Sequence, residues 1–397
     1  MKKLITILTI ISLLVIGLTS CKSDIIEELQ EEANGECMDY INLHDITHDS
    51  RHMFFLNAQE GWMIGNTSGE LFQGNPMLLH TTDGGQNWSI VNNNIGIDVF
   101  NMYVTGSHFK FQFTSSTHGY MSIDLDEITN YYTVDGGVTW NTVPLPELND
   151  DESIDLYGMG VTNTQMVFSA LVSSNIGGVE PCYRLYYVSN TTHTITNYVT
   201  VVCGYDNYKF NSRDIHFLDN GVINMSATSQ NPYTKYMAHS SDYGNSWTYT
   251  EVENLPYDHS YMEFVNDNVG YMAVESGAWS ETVPFYKTTN GGATWVKKIV
   301  ELEGGVGFFH FSFADENNGL AIRFLDNALY KTTNGGDTWE RVSCFNDTQL
   351  AVDIHTSPQN IYYPNVDNGI ILTKWMDVDA SNDEDMYQNR VYFYKGE

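Results

Sequence analysis

The stretch KTTNGGATW spans Lys287–Trp295, and 44 residues further on the chain writes KTTNGGDTW, Lys331–Trp339. Three more stretches follow the same pattern: HTTDGGQNW ending at Trp88, YTVDGGVTW ending at Trp140 and HSSDYGNSW ending at Trp247. All five fit Ser/Thr-x-Asp/Asn-x-Gly-x-x-Trp, with Asp83, Asp135, Asp242, Asn290 and Asn334 at the third position. Each letter has a physical task in a tight turn. A short Asp or Asn side chain accepts hydrogen bonds from backbone amides just ahead of it, Gly supplies a positive φ, and the indole covers the base of the hairpin that the turn closes.

Spacing counts the units. The Asp/Asn positions are separated by 52, 107, 48 and 44 residues. The long gap is two periods and hides a degenerate copy, in which Asn190 takes the Asp position while Val188, Thr192 and Ile195 replace the Ser/Thr, Gly and Trp. A period of about 50 residues accommodates four strands and their turns, which is one propeller blade. A second refrain runs in step with the first: FLNAQEGWMI, FTSSTHGYMS, IHFLDNGVIN, FVNDNVGYMA, FADENNGLAI and YPNVDNGIIL each read as strand, polar turn with Gly, strand. The chain stops at RVYFYKGE, where the next turn would begin, and CMDYINLHD (residues 37–45) is an isolated strand-like stretch that can complete the last blade. Ring closure of this kind removes an exposed sheet edge. The expectation is an all-β chain, a single seven-bladed β-propeller over residues 37–397 closed by an N-terminal strand. Composition agrees, with 26 Tyr, 19 Phe, 8 Trp and 32 Gly against only 17% charged residues.

The five-fold motif resembles the Asp-box, or BNR, repeat of sialidase-like propellers, and its TTNGGxTW form resembles the seven-bladed photosystem II assembly-factor type. The resemblance implies that the boxes are structural and sit in the turn between the third and fourth strands of a blade, on the face opposite the usual site. Asp83, Trp88, Asp135, Trp140, Asp242, Trp247, Asn290, Trp295, Asn334 and Trp339 are therefore expected to hold the fold. Recognition falls to the loops of the other face, among them PLPELNDDESIDLY (residues 144–157), which mix aromatic and acidic residues. Trp279, Trp375, Tyr205, Tyr208, Tyr233 and Tyr257 are the rings expected to stack on a ligand there. A sialidase needs three arginines on one carboxylate, and this chain has six in all without the Phe/Tyr-Arg-Ile/Leu-Pro signature that carries the first. No catalytic residue is assigned. The expected function is non-enzymatic binding or scaffolding of a glycan or an envelope protein, by a monomer; the alternatives are a sialidase-like glycoside hydrolase and an assembly factor for a membrane complex.

The start of the chain reads as a targeting signal. Lys2 and Lys3 precede an apolar run from Leu4 to Leu18, shorter than a membrane-spanning helix requires. It ends in LTSC, which resembles the lipobox of bacterial lipoproteins and makes Cys21 the lipid-bearing residue. Residues 1–20 are then a signal peptide and residues 21–36 an acidic tether. These place the protein in the cell envelope, lipid-anchored to the outer membrane on its periplasmic or outer side, with the anchor as its sole contact with membrane. A formal net charge of −32 repels phosphate backbones and excludes nucleic acid as a partner.

Two segments suggest metals. DVDASNDEDMYQ resembles a calcium loop of the EF-hand type, with Asp377, Asp379, Ser381 and Asp385 at positions 1, 3, 5 and 9. Gln388 stands where a bidentate Glu closes such a loop, which weakens the site, and Ca²⁺ is the only cofactor the sequence suggests. His44, His48 and His52 lie four apart, but the segment soon has to become a strand, which favours a solvated loop over a zinc site. Of the remaining cysteines, Cys182 and Cys203 flank the degenerate hairpin symmetrically and are expected to pair as a disulfide; Cys37 and Cys344 have no clear partner.

Overall fold

Seven four-stranded antiparallel sheets make up the computed structural model of the protein. It describes residues 38–395 apart from 44–45, 48, 68–74, 96–108, 125–127, 177, 205–214, 231–232, 253–259, 275–282, 301–307, 324–327, 343–356 and 377–386. Blade 1 runs over Asp49–Asn92, blade 2 over Phe109–Thr142, blade 3 over Glu152–Cys203, blade 4 over Ile215–Val252, blade 5 over Ser260–Val300 and blade 6 over Phe308–Arg341. Blade 7 takes three strands from Ser357–Lys395 and its fourth from Met38–Asn42, which pairs antiparallel with the last strand from Met38↔Tyr394 to Asn42↔Arg390. First strands of successive blades touch one another around most of the ring, and the first strand of blade 3 meets the second and third strands of blade 2, so that first strands form the inner wall. The protein is an all-β, seven-bladed propeller with no helix among its described residues.

The motif turns join third and fourth strands, and their hydrogen bonds repeat almost to the atom. In blade 2 the Thr133 hydroxyl donates to Asp135 Oδ1 at 2.8 Å and accepts from Gly137 N at 2.9 Å. Asp135 Oδ1 also accepts from Thr139 N at 2.9 Å, and Oδ2 from the Thr139 hydroxyl at 2.7 Å. Partial burial pushes the Asp135 carboxyl up, but the bonds from Thr139 and Thr133 outweigh it and hold the group below the ordinary carboxylate value. In blades 5 and 6 Asn replaces Asp, and the last bond reverses: Asn290 Nδ2 donates to the Thr294 hydroxyl at 2.9 Å and Asn334 Nδ2 to that of Thr338 at 2.8 Å. A threonine hydroxyl serves as either partner, so both amino acids satisfy the turn.

The second glycine of the motif does two things. Gly137 has φ 96°, and a Cβ on it would overlap Leu78 of blade 1; Gly292 has φ 94° and stands in the same way against Asn224 of blade 4. Each turn is thereby wedged beneath the preceding blade.

Aromatic rings carry the cohesion between blades. Phe113 ends the first strand of blade 2, lies flat on Trp62 of blade 1 with ring centres 3.8 Å apart, and meets Trp140 of its own blade edge-on at 6.1 Å. Phe313 repeats this between Tyr271 of blade 5, at 3.5 Å, and Trp339, at 5.9 Å. Phe55 and Phe264 do the same with Trp88 and Trp295. Room for each ring comes from the glycine that opens the second strand: a Cβ on Gly119 would lie 2.8 Å from Phe113. The refrain of aromatic, polar turn and Gly is thus a packing rule as well as a turn signal.

Blade 3 departs from the pattern. Its first two strands each have 10 residues and its outer hairpin is tied by a disulfide between Cys182 and Cys203, which sit directly opposite one another. Strand register does put Asn190 at the Asp position, because Val188 pairs with Met166 as Thr81 pairs with Gly61. Its side chain, however, leaves its own turn. Asn190 Nδ2 donates to Thr162 O at 2.9 Å, and Oδ1 accepts from the Tyr120 hydroxyl of blade 2 at 2.8 Å. The Ser189 hydroxyl caps the turn instead, and His193 supplies the positive φ, 54°.

Candidate functional site

Of the sequence-nominated rings, Trp279, Tyr205, Tyr208 and Tyr257 lie outside the described residues, as do Cys21, the calcium-loop residues Asp377, Asp379, Ser381 and Asp385, the cysteines Cys37 and Cys344, and His44 and His48. Tyr233 begins the third strand of blade 4, opposite Gln230, and Trp375 lies near the end of the second strand of blade 7, opposite Gln388. Both therefore sit at strand ends on the face away from the motif turns. Among the described residues no three His, Cys, Asp or Glu side chains gather as a metal site.

One nominated segment is fully described, Pro144–Tyr157, and it builds a groove. The fourth strand of blade 2 is only Asn141–Thr142, so the chain leaves the sheet early and runs as Pro144-Leu145-Pro146-Glu147 across the flank of blade 3. The uncovered flank presents Arg184 and Tyr186 from the third strand and Ile195 and Tyr198 from the fourth, enclosing about 460 Å³. Two prolines fix the extended path of the segment. Leu145 is 54% exposed and Tyr198 53%, so an apolar and an aromatic surface face solvent across the same groove.

Arg184 is the centre of this site. Its Nη1 donates to the Tyr186 hydroxyl at 3.4 Å, its Nη2 stands 3.7 Å from Glu152 Oε1, and its guanidinium lies 5.2 Å from the centre of the Tyr198 ring. Nε is buried and has no partner among the described residues. A guanidinium offers five N–H donors, and these contacts are long, so most of that capacity is unused. Glu152 is not free to take it up: its Oε2 already accepts from Asn149 N at 3.0 Å and Asn149 Nδ2 at 2.8 Å, holding the turn that opens blade 3. The site therefore offers a cation held by the Tyr186 hydroxyl and the face of the Tyr198 ring, with apolar walls and acceptor-seeking hydrogens. Sequence reasoning reached the Pro144–Tyr157 segment but not Arg184, Tyr186 or Tyr198. The signal was the rarity of arginine, one of six in a chain of 397 residues.

Elsewhere the innermost strand of blade 5 buries a carboxyl. Glu263 Oε1 accepts from the Ser312 hydroxyl at 3.0 Å and Phe313 N at 3.4 Å, while Oε2 has no partner among the described residues. Burial pushes this group up to about 8, against the opposing pull of those two bonds. It is uncharged at neutral pH.

Blade count, velcro closure and groove together define a seven-bladed β-propeller with an open cleft on one flank. No protein-family model matches the chain, and no curated protein matches it in sequence. Solved structures do match it. YCF48 bound to D1 peptide superposes with a TM-score of 0.52 at 19% identity, covering 91% of this chain and 97% of that one. YCF48 from Cyanidioschyzon merolae gives 0.52 at 14% identity, covering 90% and 98%. Oligogalacturonate lyase from Vibrio parahaemolyticus gives 0.51 at 10% identity, covering 90% and 97%. At these identities the likenesses establish the fold, which hosts unrelated activities.

Proposed function

We propose that this chain is a lipid-anchored envelope protein whose propeller binds, without transforming it, an extended segment of a partner protein along the groove between blades 2 and 3. The observation that carries this is the arginine with unspent donors, held by the Tyr186 hydroxyl and the exposed Tyr198 ring, opposite the exposed Pro-Leu-Pro strip. Arg and Tyr are the residues that dominate protein recognition when held rigidly, and a guanidinium suits the carbonyls and carboxylates of a peptide. The mixed sign of the site, with Glu147 and Glu152 beside Arg184, favours a peptide presenting both polar groups and side-chain carbon over a polyanionic glycan. A propeller of like fold, YCF48, has a solved structure with D1 peptide bound, which supports the class of ligand. The five motif turns belong, in this proposal, to the Asp-box repeat, and their hydrogen bonds are those of a purely structural device. Residues 1–20 direct export, Cys21 carries lipid, and residues 21–36 let the propeller stand off the outer membrane.

The test is site-specific photocrosslinking from position 145 in intact envelopes, followed by identification of the adduct. One dominant protein partner is expected, and both Arg184→Ala and Tyr198→Ala should abolish its capture. Adducts to polysaccharide alone, or capture undiminished in both variants, would defeat the proposal. Loss of labelled-lipid incorporation in Cys21→Ala checks the anchor separately.

A further inference from the structure

The fourth strand of each blade is the outer edge of its sheet, a row of main-chain groups that a foreign strand could bond. Six of the seven edges are short or charged. Those of blades 2 and 6 have two residues and that of blade 1 has four. The five-residue edges of blades 4, 5 and 7 carry Glu251, Lys297 with Lys298, and Asp39. Short runs and charges are the devices that keep an edge from pairing with other chains. Blade 3 uses neither: Ile195–Cys203, nine residues reading ITNYVTVVC, holds no charged residue and no proline.

Pairing fixes which groups of that strand face outward. Residues of a central antiparallel strand bond alternately to the neighbour on either side. Asn190 N donates to Thr164 O, and the second and third strands of blade 3 stay in register from Gln165↔Ser189 to Val172↔Cys182, so Arg184, Tyr186 and Val188 bond the second strand. Leu185 and Tyr187 are left to bond the fourth, at Val199 and Asn197. The alternation holds at both ends, where Ser189 N donates to Thr194 O and Gly204 N to Pro181 O. Between Cys182 and Cys203 the Cα atoms are 4.1 Å apart, close to the spacing of about 4.5 Å that marks a pair without main-chain bonds. Tyr198 and Thr200 therefore turn their amides and carbonyls away from the sheet. Both residues are exposed, and neither main chain has a further hydrogen bond among the described residues. The run Asn197–Thr200 pairs regularly between two breaks in register, and the disulfide fastens the strand beyond it. An edge held in this way loses little freedom when another strand joins it.

The surroundings define the strand that fits. A residue added opposite Tyr198 or Thr200 points its side chain to the face those two share with Tyr186 and Arg184, which is the groove face. A second copy of this chain would bring its own net charge of −32 and be repelled. Glu147 lines the groove and Glu180 lies two residues before Cys182, both exposed, so basic residues at the ends of an incoming segment would be met favourably.

Granted the groove as a site for protein, we propose that the fourth strand of blade 3 holds its partner by strand addition: an extended segment of another protein, uncharged at its centre and basic at its ends, pairs as a fifth strand through main-chain bonds at Tyr198 and Thr200. Backbone bonds then supply affinity and the groove face supplies selectivity. The mature protein is titrated by calorimetry with the peptide Lys-Thr-Val-Thr-Val-Thr-Val-Thr-Lys, acetylated and amidated, and with the same peptide carrying proline for its central valine. Amide exchange is followed by NMR. The first peptide is expected to bind and to slow exchange at Tyr198 and Thr200 about tenfold or more, while Asn197 and Val199, already bonded within the sheet, change little. The proline peptide should bind about tenfold more weakly, which separates strand pairing from attraction of lysines to an acidic protein. Thr200→Pro removes an outward amide and no ladder bond, and should weaken the first peptide about tenfold. If that variant does not fold, exchange at Tyr198 and Thr200 in the wild type decides. Binding lost in Thr200→Pro but kept in Arg184→Ala supports the edge and counts against the groove; the reverse keeps the groove and overturns strand addition. No binding, equal binding of both peptides, or protection that misses Tyr198 and Thr200 would also overturn it. So would slow exchange at these two amides in the protein alone, which would assign the edge to this chain itself, or to a second copy where the protection grows with concentration.

Discussion

Replacing Asp135 separates the two ways in which a motif turn can be satisfied. Asp135→Ala removes the two oxygens that accept three hydrogen bonds, from the Thr133 hydroxyl, Thr139 N and the Thr139 hydroxyl. At a solvent-exposed turn water replaces part of this, so the expected cost is about 2 kcal/mol rather than the sum of three charge-assisted bonds. Asp135→Asn keeps both bonds to Oδ1 and turns the third around, as Asn290 and Asn334 already do with Thr294 and Thr338. Its cost at neutral pH should stay below about 1 kcal/mol. Acid distinguishes the pair further. The folded carboxyl of Asp135 lies below its unfolded value of about 3.9, so the stabilisation it confers is complete above that pH and is lost as pH falls through the lower folded value. The advantage of Asp over Asn at position 135 should therefore shrink or vanish in strong acid. Urea denaturation of wild type, Asp135→Ala and Asp135→Asn at neutral pH and again below the carboxylate range measures all of this. An Asn variant as damaged as the Ala variant, or an Asp–Asn difference independent of pH, would refute the turn's hydrogen-bond logic.

Glu263→Gln should act with the opposite pH sense. A carboxyl at about 8 in the fold and near 4.3 when unfolded makes stability decline as pH rises between those values, and Gln, which keeps the acceptor for Ser312 and Phe313, should flatten that slope and stabilise the protein by a few kcal/mol at neutral pH; denaturation across this range reads it directly. Gly137→Ala combines left-handed backbone strain with overlap on Leu78 and should cost about 3 kcal/mol, whereas Gly178→Ala, at φ 92° with open space around it, should cost about 1 kcal/mol in the same assay. Joint replacement of Cys182 and Cys203 by Ser opens a loop of 21 residues and should cost about 3 kcal/mol, seen as a lower denaturation midpoint; an unchanged midpoint would show the hairpin to be held by packing alone.

The blades were countable in the sequence because the motif's letters act locally: an Asp or Asn, one or two glycines and a Trp close one turn within nine residues. Closure of blade 7 by Met38–Asn42 was legible for a related reason, since CMDYINLHD reads as a lone strand with no hairpin partner beside it, and it pairs with the last strand. Blade 3 was harder to read. Asn190 does its bonding with Tyr120 and Thr162 from outside its own turn, and His193 takes the positive φ that glycine takes elsewhere. The groove was legible only in part, because it is an absence: blade 2 stops its fourth strand at Thr142, and no residue pattern in Arg184, Tyr186 or Tyr198 announces that their flank will be bare.

The same blade that lost the motif carries the disulfide and the groove, and one physical cause connects them. Five other blades hold their outer hairpin by hydrogen bonds at the turn and by a Trp clamped against the first strand. Blade 3 has Ile195 where the Trp would be, so the motif-turn end of its outer strand is held by Ser189, His193 and the Thr196 hydroxyl, which donates to Tyr187 O at 3.2 Å, with no indole clamped there. The Cys182–Cys203 bond fastens that strand at its far end, beside Arg184. A covalent clamp needs no bulky side chain on the flank, and that leaves room there for Tyr198 to stand in solvent over the half-buried Arg184. Restoring the motif should therefore act against binding: a blade 3 turn rebuilt with Val188→Thr, Asn190→Asp, Thr192→Gly and Ile195→Trp would make the disulfide dispensable for stability while placing an indole at the wall of the groove that Ile195 now forms. Partner capture lost in that variant, with stability retained after removal of both cysteines, is the expected pair of results; capture retained beside a full-sized indole would separate the groove from recognition.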